Sequence, residues 1–168
     1  MPIQKLNQQS QEFKDAASKF ASGVTVVAVK NEDNFHAMTV SAFTTISMEP
    51  LMIMVSISNK SKMHDILKQQ KRFSVSILNK NQTDVSNHFA GKKQSDDFAQ
   101  SIMINVDDDK KEEYKIVSGS LAFFLCDLEE IYEKGDHTLF FGKVNKSWTN
   151  PIPNGSALVY FSRNYHSV

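Results

Sequence analysis

Residues 23–47 read GVTVVAVKNEDNFHAMTVSAFTTIS, and their pattern decides the fold class. Gly23-Val24-Thr25-Val26-Val27-Ala28-Val29 is rich in β-branched residues and reads as a buried strand. Asn31 to Asn34 is polar and suits a hairpin turn. From His36 to Ser47 the chain reads as extended, with Met38, Val40, Ala42 and Thr44 alternating with Thr39, Ser41, Phe43 and Thr45. So short a turn has no room for a crossover helix, so the two strands pair antiparallel.

On the N-terminal side, Phe13, Ala16, Ala17 and Phe20 fall at helical spacing, with Glu12, Lys14, Asp15 and Lys19 opposite. Gly23 is placed to end that helix, and residues 1–10 read as a flexible N-terminus. On the C-terminal side, Leu51 to Ile57 is a strand, and Ser61 to Gln70 a short helix carrying Met63, Ile66 and Leu67. Arg72 to Leu78 is a strand with Phe73, Val75 and Ile77 on one face. Thr83 to Lys92 is a helix capped by Thr83 or Asp84. Residues 94–118 form a polar excursion, and the block from Asp107 to Glu113 within it reads as solvated. Leu121 to Tyr132, Thr138 to Trp148 and Ala157 to Phe161 complete about seven strands. No repeat or linker divides the chain, so residues 1–168 read as a single domain. The order is not an alternating βαβ pattern, and the class is mainly β with peripheral α, an antiparallel barrel.

Lys plus Arg number 19 and Asp plus Glu 19, a balance that argues against a protein built to coat nucleic acid or an anionic membrane. Ile, Val, Leu and Phe make up 45 of 168 residues, enough to build a core and to exclude a disordered chain. The longest unbroken run of apolar aliphatic side chains, Leu51 to Val55, is far short of the ~20 residues that span a bilayer. Met1 to Lys19 has no apolar stretch of the kind a secretory signal needs. A lone cysteine, Cys126, cannot form an internal disulfide; it lies in the apolar run Leu121–Leu128 and reads as core, and a cytoplasmic setting is the expectation.

The five histidines, His36, His64, His88, His137 and His166, show no metal-binding helix spacing, so no metal site is expected. There is no Gly-x-Ser-x-Gly elbow, no Walker loop and no Gly-x-Gly-x-x-Gly. A nicotinamide nucleotide would therefore not be held in the Rossmann manner.

Two stretches can make a ligand site. In Met38–Ser47, small residues let a flat ligand lie close to the backbone, and hydroxyls add adaptable donors and acceptors. An ordinary half-exposed Thr/Ser-rich strand has the same composition. The second is Ser58-Asn59-Lys60-Ser61-Lys62, where a helix begins. Free N–H groups, a partial positive charge and two lysines make it a plausible phosphate seat. From Ser58 to Arg72 five cations stand against Asp65, a net of +4. An ordinary capped surface helix is the competing reading. A flavin mononucleotide has both a flat heterocycle and a phosphate.

The chain resembles the flavin reductase-like family, the FMN-binding split-barrel reductases of two-component monooxygenases. The resemblance runs from Phe13 to His166. It is carried by Phe13–Val27, Met38–Ser47, Ser61–Asp65, Phe73–Leu78, His88-Phe89-Ala90-Gly91, Gly135–Val144 and Leu158–His166, in that order. It implies an antiparallel Greek-key split β-barrel, FMN-binding and homodimeric, with flavin near the subunit interface. It implies that Thr39, Val40, Ser41, Ala42 and Phe43 line the isoalloxazine ring. Ser58, Asn59, Lys60 and Ser61 would hold the ribityl phosphate, and Phe89, Ala90 and Gly91 would close the site. His137 and Tyr165 would lie on the open face where a nicotinamide stacks, His137 positioning it. Read without the resemblance, His137 is an exposed turn residue, Tyr165 a residue near the terminus and Phe89 core.

The implied activity is hydride transfer from NADH or NADPH to FMN, with FAD or riboflavin as alternatives, and supply of reduced flavin to a partner oxygenase. The alternative is a flavin storage or sensor protein on the same fold. No nucleic-acid or membrane partner is expected.

Overall fold

The computed structural model describes residues 2–31, 34–91, 95–151 and 155–168, with side chains from residue 7 onward. The chain runs α1 (Pro2–Ala17), β1 (Ser22–Gly23), β2 (Thr25–Asn31), β3 (Asn34–Val40), β4 (Phe43–Met48), β5 (Leu51–Ser58), α2 (Lys62–Gln70), β6 (Arg72–Ile77) and α3 (Thr83–Ala90). It continues through α4 (Asp96–Ile102), β7 (Met103–Asp107), β8 (Glu113–Val117), β9 (Ala122–Lys134), β10 (His137–Thr149), β11 (Leu158–Phe161) and β12 (Asn164–Ser167). The protein is mainly β, and β2 and β3 pair antiparallel, as their short connection requires.

Seven strands form the central sheet in the order β3-β2-β6-β9-β10-β5-β4. Its two edges, β3 and β4, are consecutive in sequence. Val40 ends one and Phe43 begins the other. Three Cα–Cα steps reach at most ~11 Å. The sheet must therefore curl until its edges meet at Ser41–Ala42, and the Ser56 N–H, donating to the Ala42 carbonyl at 3.0 Å, extends the β4–β5 ladder up to that point. The stretch from His36 to Ser47, expected as one extended segment, is thus broken at Ser41–Ala42.

The curl explains the composition of β2. Val27 and Val29 face a core inside the curl with Ile53, Val55, Met63, Leu67, Phe73, Cys126 and Phe140. Val24, Val26 and Ala28 face a second core with Leu78, Val85, Phe89 and Leu158. A strand buried on both faces needs an unbroken apolar run, which is what 24–29 supplies. Cys126 is fully buried, and burial pushes its thiol pKa up, so it serves as a core side chain.

Several expectations are corrected. The N-terminal helix runs Pro2–Ala17 and ends before Gly23, and Phe13 and Phe20 are 74% and 82% exposed instead of covered. α3 has Gln82 as its N-cap, with no side-chain capping bond, rather than Thr83 or Asp84. The Gln82 side chain is engaged elsewhere, accepting from Asn79 N–H and donating to the Ser118 carbonyl. Lys92, the expected end of that helix, and Gln94 lie outside the described residues.

Within the polar excursion, residues 95–118 are structured: α4 leads into the β7–β8 hairpin. Tyr114 and Ile116 are buried beside Phe123 and Leu125, and β8 covers β6. Ser74 and Ser76 are thereby buried, each paired with β8 backbone. β6 is buried on both faces, not one. Asp108 supplies the turn: one carboxylate oxygen accepts from Lys110 and Glu112 N–H, both at 2.9 Å. The Asp-rich block reads as solvent-seeking because most of it is; the side chain that organises the turn is nonetheless 2% exposed.

Candidate functional site

Edge strand β3 passes between α2 and α3, which belong to different cores. Where β3, the start of α2 and the end of α3 diverge, a cleft of ≈ 810 Å³ opens. It is lined by Met38, Thr39, Ser58, Lys60, Ser61, Lys62, Phe89, Ala90 and Gly91, with His36 and Asp96. Five elements, β3, β5, α2, α3 and α4, contribute residues to it. The volume suits a cofactor-sized ligand.

α2 starts at this cleft because Ser61 has extended backbone angles and its hydroxyl accepts from the His64 N–H at 3.2 Å. The helix N-terminus, Lys60 and Lys62 give that end of the cleft a positive character. His36 is held below the ordinary histidine pKa, first by burial and then by Lys62. The group belongs to a cationic neighbourhood, and its chemistry fits an anionic ligand.

The residues expected to line a flat ring divide. Thr39 lies in the large cleft, with its hydroxyl donated to the Ser86 carbonyl at 2.7 Å. Ser41, Ala42 and Phe43 line a second cleft of ≈ 410 Å³, with Phe20, Met54 and Tyr160. Val40 is buried in the core between them. Asn59 lines neither of these clefts. Its N–H donates to the Asp136 carbonyl at 2.9 Å and its Oδ1 accepts from Thr138 at 2.7 Å, so it fastens the β9–β10 turn.

His137 begins β10, directly across from Ser58 of the large cleft. Gly135, at φ +63°, makes the preceding turn possible. The His137 side chain is 47% exposed, and its Nδ1 lies 2.8 Å from Asp136 Oδ1. A carboxylate only accepts, so Nδ1 carries the hydrogen and Nε2 is left for other work. The Asp136 carboxyl is held below its usual range, first by the hydrogen bond from His137, then by the charges of His137 and Lys60. Tyr165 is not among the residues lining the two clefts. Its ring is half-buried against the second core and its hydroxyl is 2.9 Å from Ser86 Oγ.

Sequence reasoning overlooked His36, His64 and Thr138. Strand alternation carried a signal for His36, two positions before Met38 on the same strand. His64 and Thr138 meet only in the tertiary fold, 74 positions apart. Among the described residues, no three His, Cys, Asp or Glu side chains are grouped to hold a metal ion.

Comparison with known proteins follows the same lines. The family described as "Flavin reductase like domain" matches residues 17–168. An NADH-dependent flavin reductase from Rhodococcus is 32% identical, over 93% of this chain and 85% of its own. The reductase component of 4-hydroxyphenylacetate 3-monooxygenase from Thermus thermophilus is 34% identical, over 93% and 95%. Among solved structures, BorF, the flavin reductase component of a bacterial two-component tryptophan halogenase, superposes with a TM-score of 0.84 at 31% identity, over 95% and 98%. The flavin reductase of styrene monooxygenase from Pseudomonas putida S12 gives 0.80 at 31%, over 92% and 96%. With β3, the seam at Ser41–Ala42 and the α2 cleft all inside the matched span, this chain belongs to the flavin reductase-like domain family.

Proposed function

We propose that the chain is an NADH-dependent flavin reductase that supplies reduced flavin to a partner monooxygenase, with NADPH as the alternative nucleotide. The observation that carries this is the pairing of His137 with Ser58. It supports a reading in which His137, the nicotinamide candidate, works next to Ser58 of the proposed phosphate seat. A storage protein has no use for that arrangement.

The donor set fits a flavin. Ser58, Lys60, Ser61 and the first N–H groups of α2 would hold the phosphate. Thr39, Phe89, Ala90 and Gly91 would flank the body of the ligand, and Ser41, Ala42 and Phe43 its ring. Whether FMN or FAD is preferred, a phosphate at this seat is common to both. Bound flavin supplies a hydride acceptor for the nicotinamide. The chain's own work is to stack the two rings, exclude water and fix the nicotinamide. His137 does the last, its Nδ1 anchored by Asp136 and its Nε2 available to the nicotinamide. Tyr165, anchored through Ser86, would bound the site from the second core.

The curled sheet with edges joined at Ser41–Ala42 suits the Greek-key split barrel. A homodimer suits the apolar surface: Phe13, Phe20, Met48, Tyr160 and Phe161 are exposed, and Phe20 and Tyr160 border the cleft of Ser41–Phe43. A second copy would cover that cleft. No helix among the described residues is long and apolar enough to cross a membrane. A cytoplasmic setting suits use of NADH.

The phosphate seat is tested by titrating FMN and riboflavin into the wild type and the Lys60→Ala/Ser61→Ala variant. Two charge-assisted bonds are worth about 2–4 kcal/mol together, so FMN affinity is expected to fall roughly 30- to 1000-fold. Riboflavin affinity is expected to change by less than about threefold, within the ordinary noise of a distant substitution. Equal losses for both flavins would move the phosphate elsewhere.

A further inference from the structure

We propose that His64 and Thr138 form a positioning relay that ties the start of α2 to the turn carrying His137. The proposal deepens the reductase reading and rests on it for the role of His137. His64 is 8% exposed and Thr138 fully buried. The His64 Nδ1 lies 2.9 Å from Asp65 Oδ1, and its Nε2 lies 3.1 Å from Thr138 Oγ1. The Thr138 hydroxyl donates to Asn59 Oδ1 at 2.7 Å. The Asn59 amide group and N–H reach the Gly135 and Asp136 carbonyls.

One assignment of the hydrogens makes all of these bonds at once. A threonine hydroxyl has a single hydrogen, and here Asn59 takes it. Nε2 of His64 must then donate to the Thr138 oxygen. Nδ1 faces a carboxylate, which only accepts, so it donates too. With both ring nitrogens donating, every bond of the relay is made, and Asp65 on the same helix receives the Nδ1 hydrogen of the ring. From β10 its neighbours are the uncharged Thr138 and the Phe140 ring, met edge-on at 5.7 Å.

Were Nε2 an acceptor, the Thr138 hydrogen would turn to it and Asn59 would lose its donor. His64 therefore selects the hydroxyl direction that keeps the Gly135–Asp136 turn fastened. His64 is also the residue whose backbone N–H donates to the Ser61 cap, so one residue, through its backbone on one side and its ring on the other, joins the two ends of the site: the phosphate seat and the His137 turn. Neither His64 nor Thr138 lines either of the two clefts described above, so both act through other residues.

The test compares Thr138→Val, which keeps shape and loses the hydroxyl, with Thr138→Ser, which keeps the hydroxyl. In Thr138→Val, the KM for NADH is expected to rise about tenfold, the worth of one buried hydrogen bond, while FMN affinity moves less than about threefold. Thr138→Ser should stay within about twofold of wild type. A readout free of catalysis is amide exchange at Asn59, expected to quicken about tenfold in the valine variant and to stay near wild type in the serine variant. In the flavin-free wild type, the imidazole 15N spectrum of His64 should show hydrogens on both nitrogens. Should the valine variant fail to fold, His64→Gln is read by the same exchange measurement. Equal behaviour of valine and serine, unchanged Asn59 exchange, or a singly protonated His64 ring overturns the relay. If the wild type fails to consume NADH while Asn59 exchange responds as stated, the relay stands and the reductase reading falls.

Discussion

Gly142→Ala is expected to destabilise the protein by about 3 kcal/mol, the upper part of the range for overpacking a filled core. A methyl group at Gly142 would sit 2.5 Å from Phe73 Cζ, 2.9 Å from Phe73 Cε1 and 3.0 Å from Cys126 Cβ. Phe73 is 1% exposed and Cys126 fully buried, so neither can swing into solvent. Gly142 also borders a register shift between β10 and β9, where the strand already bends. For a chain of this size the loss corresponds to roughly 6–12 °C in Tm. Urea or thermal unfolding checks it. Adding Phe73→Leu should return part of the loss, because the clash and the cavity offset one another. A Gly142→Ala protein within about 0.5 kcal/mol of wild type, the level of a neutral surface change, would contradict this packing.

His137→Ala is expected to lower kcat/KM for NADH by roughly 10- to 100-fold, about 1.4–2.8 kcal/mol of lost positioning. Flavin affinity should change by less than about threefold, because the Ser61 cap and the lysines are untouched. Stability should hardly move, since the side chain is half-exposed in a turn. Asp136→Asn should have a smaller effect in the same direction, because it weakens the anchor of Nδ1 without removing the ring. Stopped-flow reduction of bound flavin, beside flavin titration, separates the two quantities. Equal losses in both would make His137 a structural residue and remove it from the reaction.

Much of this was legible in residues 23–47. The apolar run at 24–29 announces a strand buried twice over, and the short polar connection dictates antiparallel pairing. The Ser61 cap and the Gly135 turn were equally local, each set by one residue's backbone preference. The break at Ser41–Ala42 was not legible, because alternation continues through it; only the position of β4 at the far sheet edge reveals it. The β7–β8 hairpin was hidden for a different reason. Its charged turn dominates the composition, while Tyr114, Ile116 and Asp108 carry the packing. Phe13 and Phe20 show the reverse case, an apolar stripe that finds no cover within one chain. For the site, chemistry was legible and juxtaposition was not. Lys60 and Ser61 are neighbours in sequence, but the pairing of Ser58 with His137 is a tertiary fact.

The central claim is tested most directly by following NADH absorbance with purified protein and added FMN, FAD or riboflavin. The expected result is flavin-dependent NADH oxidation well above a protein-free control, with FMN or FAD favoured over riboflavin. Flavin binding with no NADH consumption above that control would contradict the reductase and leave a flavin-binding protein in its place.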